Sequence, residues 1–263
     1  MKYGICVGIN QLDRIKIAAE CGFDYVEAGF AALTQADDAA YAAFKQALTD
    51  NNISCEAANG FLPGTLRVTG DNVDSDAVRA FVEKGMQRAK EVGIQVVVFG
   101  SSGARNLDEN TSYYKGIQQL IAFLREIAGP VAAKYGVRIA VEPLCPQESN
   151  IINGVKEGVI LAAAADQENV GGLGDLYHMA VIGDNGDDIR AVKGNLYHTH
   201  IASPGLNSGK RRWYPADPAE YDYKDFLDAV EYAGCPRCSV EAGCDDFAVE
   251  APKALAVLRS VHP

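Results

Sequence analysis

The chain has 263 residues, 48% hydrophobic and 22% charged, which is enough to bury the core of one domain and too apolar for a disordered or fibrous protein. Acidic residues number 35 against 24 basic ones, and a net charge of -11 disfavours nucleic acid and anionic membranes as partners. The apolar runs are shorter than the roughly 20 residues that span a bilayer, and seven scattered cysteines are typical of a reducing compartment. We therefore expect a soluble cytoplasmic protein with neither partner.

Short apolar or β-branched runs alternate with longer amphipathic runs along the whole chain. Eight short runs predict strands, over residues 2–7, 25–28, 54–58, 95–99, 138–142, 170–175, 195–200 and 238–241. The amphipathic runs predict helices over residues 12–20, 39–51, 76–92, 113–134, 155–165, 187–192, 224–232 and 246–261. Glycines suited to a C-terminal cap lie just past four of these helices, at Gly22, Gly93, Gly136 and Gly234.

This alternation predicts βα units around a parallel sheet. Eight strands and eight helices in 263 residues fit an α/β protein of the (β/α)8 TIM barrel class, with a single domain over residues 1–263. A doubly wound open sheet is the alternative, but no G-x-G-x-x-G fingerprint follows the first strand in MKYGICVGINQLD. The barrel is the fold we expect.

Four of the predicted strands end in a side chain that can bind a metal. They are Glu142, Asp175, His200 and Glu241, on strands five to eight. In a barrel, the carboxyl ends of neighbouring strands meet at one mouth, where three carboxylates would repel each other unless a cation lay between them. A strand-end acid that caps a helix or pairs with Lys or Arg is the better explanation of any one of the four, but not of all four. The pattern predicts a site for a divalent cation such as Mn²⁺, Mg²⁺, Co²⁺ or Zn²⁺.

Two further histidines lie near the predicted ligands in the chain. His178 follows Asp175 by three residues and is expected on the loop at the mouth. His198 and His200 alternate on one strand and share a face, with His200 nearer the mouth. His198 is either a support for the ligand His200 or a core histidine.

These residues resemble the xylose isomerase-like TIM barrel family, specifically the sugar phosphate isomerase/epimerase group with its ketose 3-epimerases and hydroxypyruvate isomerases. The resemblance spans nearly the whole chain, and its most specific segments are VVVFGSSGARN, VEPLCPQESNIIN, GDLYH, YHTHIASPG and SVEAG. It implies one divalent metal, often Mn²⁺, on the four strand-end residues. It also implies that Glu148 and His178 bind the substrate through hydrogen bonds to sugar hydroxyls.

Three features depart from the 3-epimerase pattern and leave the identity of the sugar open. Cys145 stands where those enzymes usually have Asn, and Leu206 stands where they have Arg. Arg211 and Arg212 lie further along, in the longer loop SPGLNSGKRRWYPAD, and Arg105 follows strand four. These arginines either bind a phosphate, carboxylate or hydroxyl of the substrate or are solvated surface charges.

The expected chemistry is deprotonation next to a carbonyl. A metal polarises the carbonyl of a ketose, and one carboxylate removes the neighbouring proton to give an enediolate. Returning the proton to the opposite face gives an epimer, and returning it to the other carbon gives an aldose-ketose isomer. Glu142 and Glu241 are the predicted catalytic acid/base pair, each also a ligand.

Other functions remain open on this sequence. The same base could expel a leaving group, which makes a metal-dependent lyase or dehydratase acting on a 3-keto-sugar or a polyol-derived ketone the main alternative. A nuclease needs more histidines and a less acidic surface, and a non-catalytic sugar-binding protein would not need both glutamates.

The chain is a possible homo-oligomer. The Cys235/Cys238 pair has the spacing of half a zinc or redox site, but no second pair accompanies it.

Overall fold

The computed structural model describes residues 1–205 and 213–263. Eight parallel strands pair in chain order and close into a barrel, because β1 also pairs with β8. The strands are β1 (Lys2–Val7), β2 (Tyr25–Gly29), β3 (Ser54–Asn59), β4 (Val96–Phe99), β5 (Arg138–Val141), β6 (Val170–Asp175), β7 (Leu196–Ile201) and β8 (Arg237–Val240). The predicted (β/α)8 barrel is confirmed, and the open sheet is excluded.

Helices cover the outside of the barrel. They are α1 (Leu12–Cys21), α2 (Phe30–Gln35), α3 (Asp38–Asp50), α4 (Ser75–Val92), α5 (Ser102–Arg105), α6 (Tyr113–Phe123), α7 (Gly129–Tyr135), α8 (Val155–Ala165), α9 (Leu176–Ile182), α10 (Gly186–Arg190), α11 (Tyr223–Tyr232) and α12 (Phe247–Val261). A π-helical turn, Leu124–Ala128, joins α6 to α7 where a single helix over residues 113–134 was predicted. The helices α2, α5 and α9, of six, four and seven residues, were not predicted.

Capping residues set the ends of several helices, and the glycine caps among them are those that the sequence predicts. The side chains of Asp37, Asp74 and Ser112 accept hydrogen bonds from the first turns of α3, α4 and α6. Gly22 and Gly93 end α1 and α4 with φ of 88° and 92°, in the left-handed region that favours glycine. The two glycines thus end α1 and α4 a few residues before β2 and β4 begin.

No helix within residues 1–205 and 213–263 is both long enough and apolar enough to cross a membrane. The seven cysteines are free thiols. Cys235 and Cys238 are buried, burial raises the pKa of both thiols, and among the described residues neither belongs to a group placed to hold a metal. The pair is therefore part of the packing.

Candidate metal centre and substrate site

The four predicted ligands meet at the carboxyl ends of β5 to β8. Glu142 and Glu241 directly follow β5 and β8, whereas Asp175 and His200 lie at the ends of β6 and β7. One donor atom from each lies within 4.8 Å of the others. The Nδ1 atom of His200 is central, at 3.0 Å from Oε1 of Glu142, 3.4 Å from Oε2 of Glu241 and 3.7 Å from Oδ2 of Asp175.

The donors of this cluster fit a divalent metal. Oδ1 of Asp175 accepts a hydrogen bond from the main-chain N–H of His178 at 2.9 Å, but its buried Oδ2 has no hydrogen-bond partner among the described residues. A buried carboxylate oxygen without a donor is costly unless a cation satisfies it. Three carboxylates and one imidazole are ligands suited to Mn²⁺, Mg²⁺, Co²⁺ or Zn²⁺.

The electrostatics of His200 also show that the cluster favours positive charge. Burial of this imidazole opposes its protonation, but the nearby carboxylates of Glu27, Glu241 and Glu142 outweigh that effect and raise the pKa of His200 well above its ordinary value. The carboxylates thus favour positive charge at this position, which a bound metal ion would supply.

Close packing and one amide hold the two glutamates. A Cβ atom on Gly100, just after β4, would lie 2.0 Å from Oε2 of Glu142, so only glycine leaves room for this carboxylate. On the other side, Nδ2 of Asn59 at the end of β3 donates to Oε1 of Glu241 at 2.9 Å. Sequence reasoning did not identify Asn59, although its place at a strand end is the signal that identified the ligands.

A second missed residue, Glu27, lies one layer below the ligands on β2. It is fully buried, with Oε1 at 3.0 Å from Nε2 of His200 and Oε2 at 2.8 Å from Nε2 of His198. Burial opposes ionisation of Glu27, but the two imidazoles outweigh it and hold the pKa of the carboxyl well below its ordinary value. His198 thus contacts the same carboxylate, Glu27, that is hydrogen-bonded to the predicted ligand His200. The available signal was an acid inside the apolar run YVEAG.

The predicted sugar-binding residues form a second group beside the metal cluster. Nδ1 of His178 accepts a hydrogen bond from the main-chain N–H of Cys145 at 3.0 Å, so the ring proton is on Nε2. That Nε2 is buried and has no hydrogen-bond partner within residues 1–205 and 213–263. Donor atoms of Cys145, Glu148 and His178 lie within 4.8 Å of one another, with Glu148 exposed. The carboxylate of Glu148 thus lies beside the ring of His178.

The structure places Arg105 differently from its predicted contact with substrate. Its side chain is fully buried and donates to the carbonyls of Phe99, at 2.8 Å, and Ile152, at 3.5 Å. Burial lowers the pKa of this guanidinium to about 10, which keeps it charged at neutral pH. With no surface open to a ligand, Arg105 instead ties the loop after β5 to the end of β4.

The other predicted arginine, Arg212, lies outside the described residues, as do Leu206 and Arg211. The neighbouring Trp213 is described, and its Nε1 donates to Oε2 of Glu250 at 2.9 Å. Its ring lies against Gly243, where a Cβ atom would come within 2.9 Å of it. Trp213 therefore packs on the loop after β8.

Known proteins share the sequence pattern and the fold of this chain. Residues 15–261 match the family model of the xylose isomerase-like TIM barrel. The chain is 24% identical over 211 residues to the D-psicose 3-epimerase of Agrobacterium fabrum (strain C58 / ATCC 33970), covering 76% of this chain and 71% of the relative.

Two solved sugar epimerases have the same fold over 99% of both chains. A D-psicose 3-epimerase from Clostridium cellulolyticum H10, crystallised with D-tagatose, superposes with a TM-score of 0.84 at 20% identity. The 3-keto-D-glucoside 4-epimerase of E. coli superposes with a TM-score of 0.82 at 22% identity.

Proposed function

Because the chain belongs to the xylose isomerase-like TIM barrel family, we propose that it is a divalent-metal-dependent sugar isomerase or epimerase. Its substrate would be a ketose or a related carbonyl sugar. The observation that supports this most strongly is the cluster of Glu142, Asp175, His200 and Glu241, in which a buried oxygen of Asp175 has no donor in the described part of the chain. The sugar epimerases among the relatives favour the same class of reaction.

The four clustered residues would hold the metal. Mn²⁺ is our first choice because three of the four ligands are carboxylates, although Mg²⁺, Co²⁺ and Zn²⁺ fit the same donors. When bound, the metal would supply positive charge that makes the carbon next to the substrate carbonyl more acidic and stabilises the enediolate.

Glu142 and Glu241 would move the proton. They follow β5 and β8, on either side of the two strands that carry Asp175 and His200. One glutamate would remove the proton from the carbon beside the carbonyl, and the other would return it to the opposite face. The amide of Asn59 would keep Oε1 of Glu241 occupied, which leaves Oε2 facing the site.

His178 and Glu148 would orient the sugar. The proton on Nε2 of His178 is available for a substrate oxygen, because Nδ1 is held by the main chain of Cys145. Glu148, nearby, would accept hydrogen bonds from hydroxyls. A buried donor that is satisfied only when substrate binds favours ligands with an oxygen at that point and rejects those without one.

A substrate panel tests this proposal. The protein loaded with Mn²⁺ is incubated with D-psicose, D-fructose, D-tagatose and 3-keto-glycosides. The products are separated by chromatography, and their masses are measured by mass spectrometry. We expect a product of unchanged mass from at least one sugar, with at least a 100-fold lower rate in Glu241→Gln. A product lighter by water would instead support the lyase. No turnover of any sugar, or full activity in the variant, would contradict the proposal.

A further inference from the structure

Glu27 is a buried carboxylate inside the barrel that the proposed chemistry does not use. It lies on β2, its side chain has no exposed surface, and it faces β7 across the interior. Burying an ionised carboxylate is costly unless its oxygens accept strong hydrogen bonds. Here each oxygen has an imidazole partner, His200 for Oε1 and His198 for Oε2. Such an arrangement requires a reason beyond packing.

The geometry fixes which nitrogen of His200 faces the ligand cluster. A carboxylate only accepts hydrogen bonds, so the Nε2 of His200 that lies 3.0 Å from Glu27 must carry a proton. In the neutral ring that a metal ligand requires, the proton on Nε2 leaves the lone pair on Nδ1, which gives up its own proton when a metal binds. That same Nδ1 is the atom 3.0 Å from Glu142 and 3.4 Å from Glu241. A metal ligand must present a lone pair. By accepting a hydrogen bond from the N–H at Nε2, Glu27 leaves the lone pair on the nitrogen that faces the cluster.

We propose that Glu27 is a positioning residue that holds His200 with its Nδ1 lone pair toward the metal and thereby sets the metal affinity of the site. The inference rests on the metal-dependent function proposed above. Histidine ligands commonly donate their second N–H to a carboxylate, and loss of that partner typically weakens metal binding about 10- to 100-fold.

The second imidazole explains why a glutamate is needed. Nε2 of His198 lies 2.8 Å from Glu27 and 3.3 Å from Oγ of Ser239, and that hydroxyl lies 2.8 Å from the hydroxyl of Tyr25. Two N–H donors therefore converge on one side chain, and only a carboxylate offers an acceptor to both. A glutamine would turn its NH₂ group toward one of the rings, which would then lose its bond or change its tautomer.

The test compares the metal affinity of Glu27→Gln with that of Tyr25→Phe. Tyr25 is a matched control, because it is fully buried on the same strand and its hydroxyl belongs to the same chain of hydrogen bonds without touching His200. Mn²⁺ binding to metal-free protein is measured by isothermal titration calorimetry. We expect the dissociation constant to rise about 10- to 100-fold in Glu27→Gln and to stay near that of the wild type in Tyr25→Phe. Equal losses in both variants would indicate general damage to the core and overturn the inference.

Nitrogen NMR of labelled histidines tests the orientation itself, with Zn²⁺ as a diamagnetic probe. Wild-type protein should show His200 with a proton on Nε2 and the metal on Nδ1, whereas Glu27→Gln should no longer show protonated Nε2 on both rings. Unchanged tautomers in the variant, or a wild-type His200 bound through Nε2, would overturn the inference. If Glu27→Gln does not fold, Glu27→Asp keeps the charge but cannot span both rings, and it should also bind Mn²⁺ more weakly.

The two proposals fail in different ways. If wild-type protein binds no divalent metal, the proposed function is wrong before Glu27 is considered. If wild type binds Mn²⁺ and turns over a sugar while Glu27→Gln binds the metal as tightly, only the role of Glu27 is wrong.

Discussion

Replacement of Gly100 by alanine tests the placement of Glu142 without removing any ligand. Gly100 follows β4, and its φ is outside the left-handed region, so alanine fits its backbone. The added Cβ, however, would lie 2.0 Å from Oε2 of Glu142, where real Cβ atoms stay at least 3.0 Å from their neighbours. The carboxylate must therefore move by about 1 Å. A displacement of that size at a reacting group costs about 100-fold in rate, which corresponds to about 2.7 kcal/mol of barrier.

We expect Gly100→Ala to lower kcat/KM about 100-fold and to weaken Mn²⁺ binding, with the fold retained. The assays are steady-state kinetics on whichever sugar the panel identifies, calorimetric Mn²⁺ titration and thermal unfolding. Gly29→Ala is the matched control, because Gly29 also ends a strand at the mouth and its Cβ would meet Ala32 at an ordinary 3.6 Å. Wild-type turnover and metal affinity in Gly100→Ala would refute the geometry assigned to Glu142.

Three further outcomes follow from the same contacts. Asn59→Ala removes the donor to Glu241 and should lower kcat about 10- to 100-fold, since a hydrogen bond to a charged group contributes about 1.5–3 kcal/mol. An effect on KM alone would count against a role in proton transfer. Mn²⁺ at 100 times its dissociation constant should stabilise the protein by about 2.7 kcal/mol in denaturant unfolding, and this gain should vanish in Asp175→Asn. Gly85→Ala would place a Cβ 2.3 Å from the Phe30 ring, between α4 and α2. We expect a loss of about 1–3 kcal/mol in the free energy of unfolding, with metal affinity unchanged. A variant as stable as the wild type would contradict that packing.

The barrel could be predicted because its signals are local. Apolar runs of four to six residues define the strands, and glycines such as Gly22 and Gly93 end helices close to where the pattern places them. The strand-end ligands were visible for the same reason, since each closes an apolar run. The helices α2, α5 and α9 have no such periodicity. Their positions follow from how the chain leaves β2, β4 and β6 at the mouth.

The supports of the site could not be predicted, because they depend on contacts between distant parts of the chain. Glu27 meets His198 and His200 across 171 and 173 residues, through the closure of the barrel. The sequence places Arg105 at the end of strand four and so at the mouth. In the structure, the loop after β5 covers Arg105, and its guanidinium donates to the carbonyl of Ile152. A one-dimensional pattern shows that an acid lies in a strand, but not which side chains surround it.

The most direct test of the central claim is metal-dependent exchange of a substrate proton with solvent. Protein with one Mn²⁺ per chain is incubated with the ketose panel in deuterium oxide, and deuterium beside the carbonyl is followed by NMR. We predict incorporation at that carbon with the loaded wild type, none after the metal is removed, and a large loss in Glu241→Gln. Exchange that persists without metal would contradict the account, as would stoichiometric metal with no exchange in any carbonyl sugar.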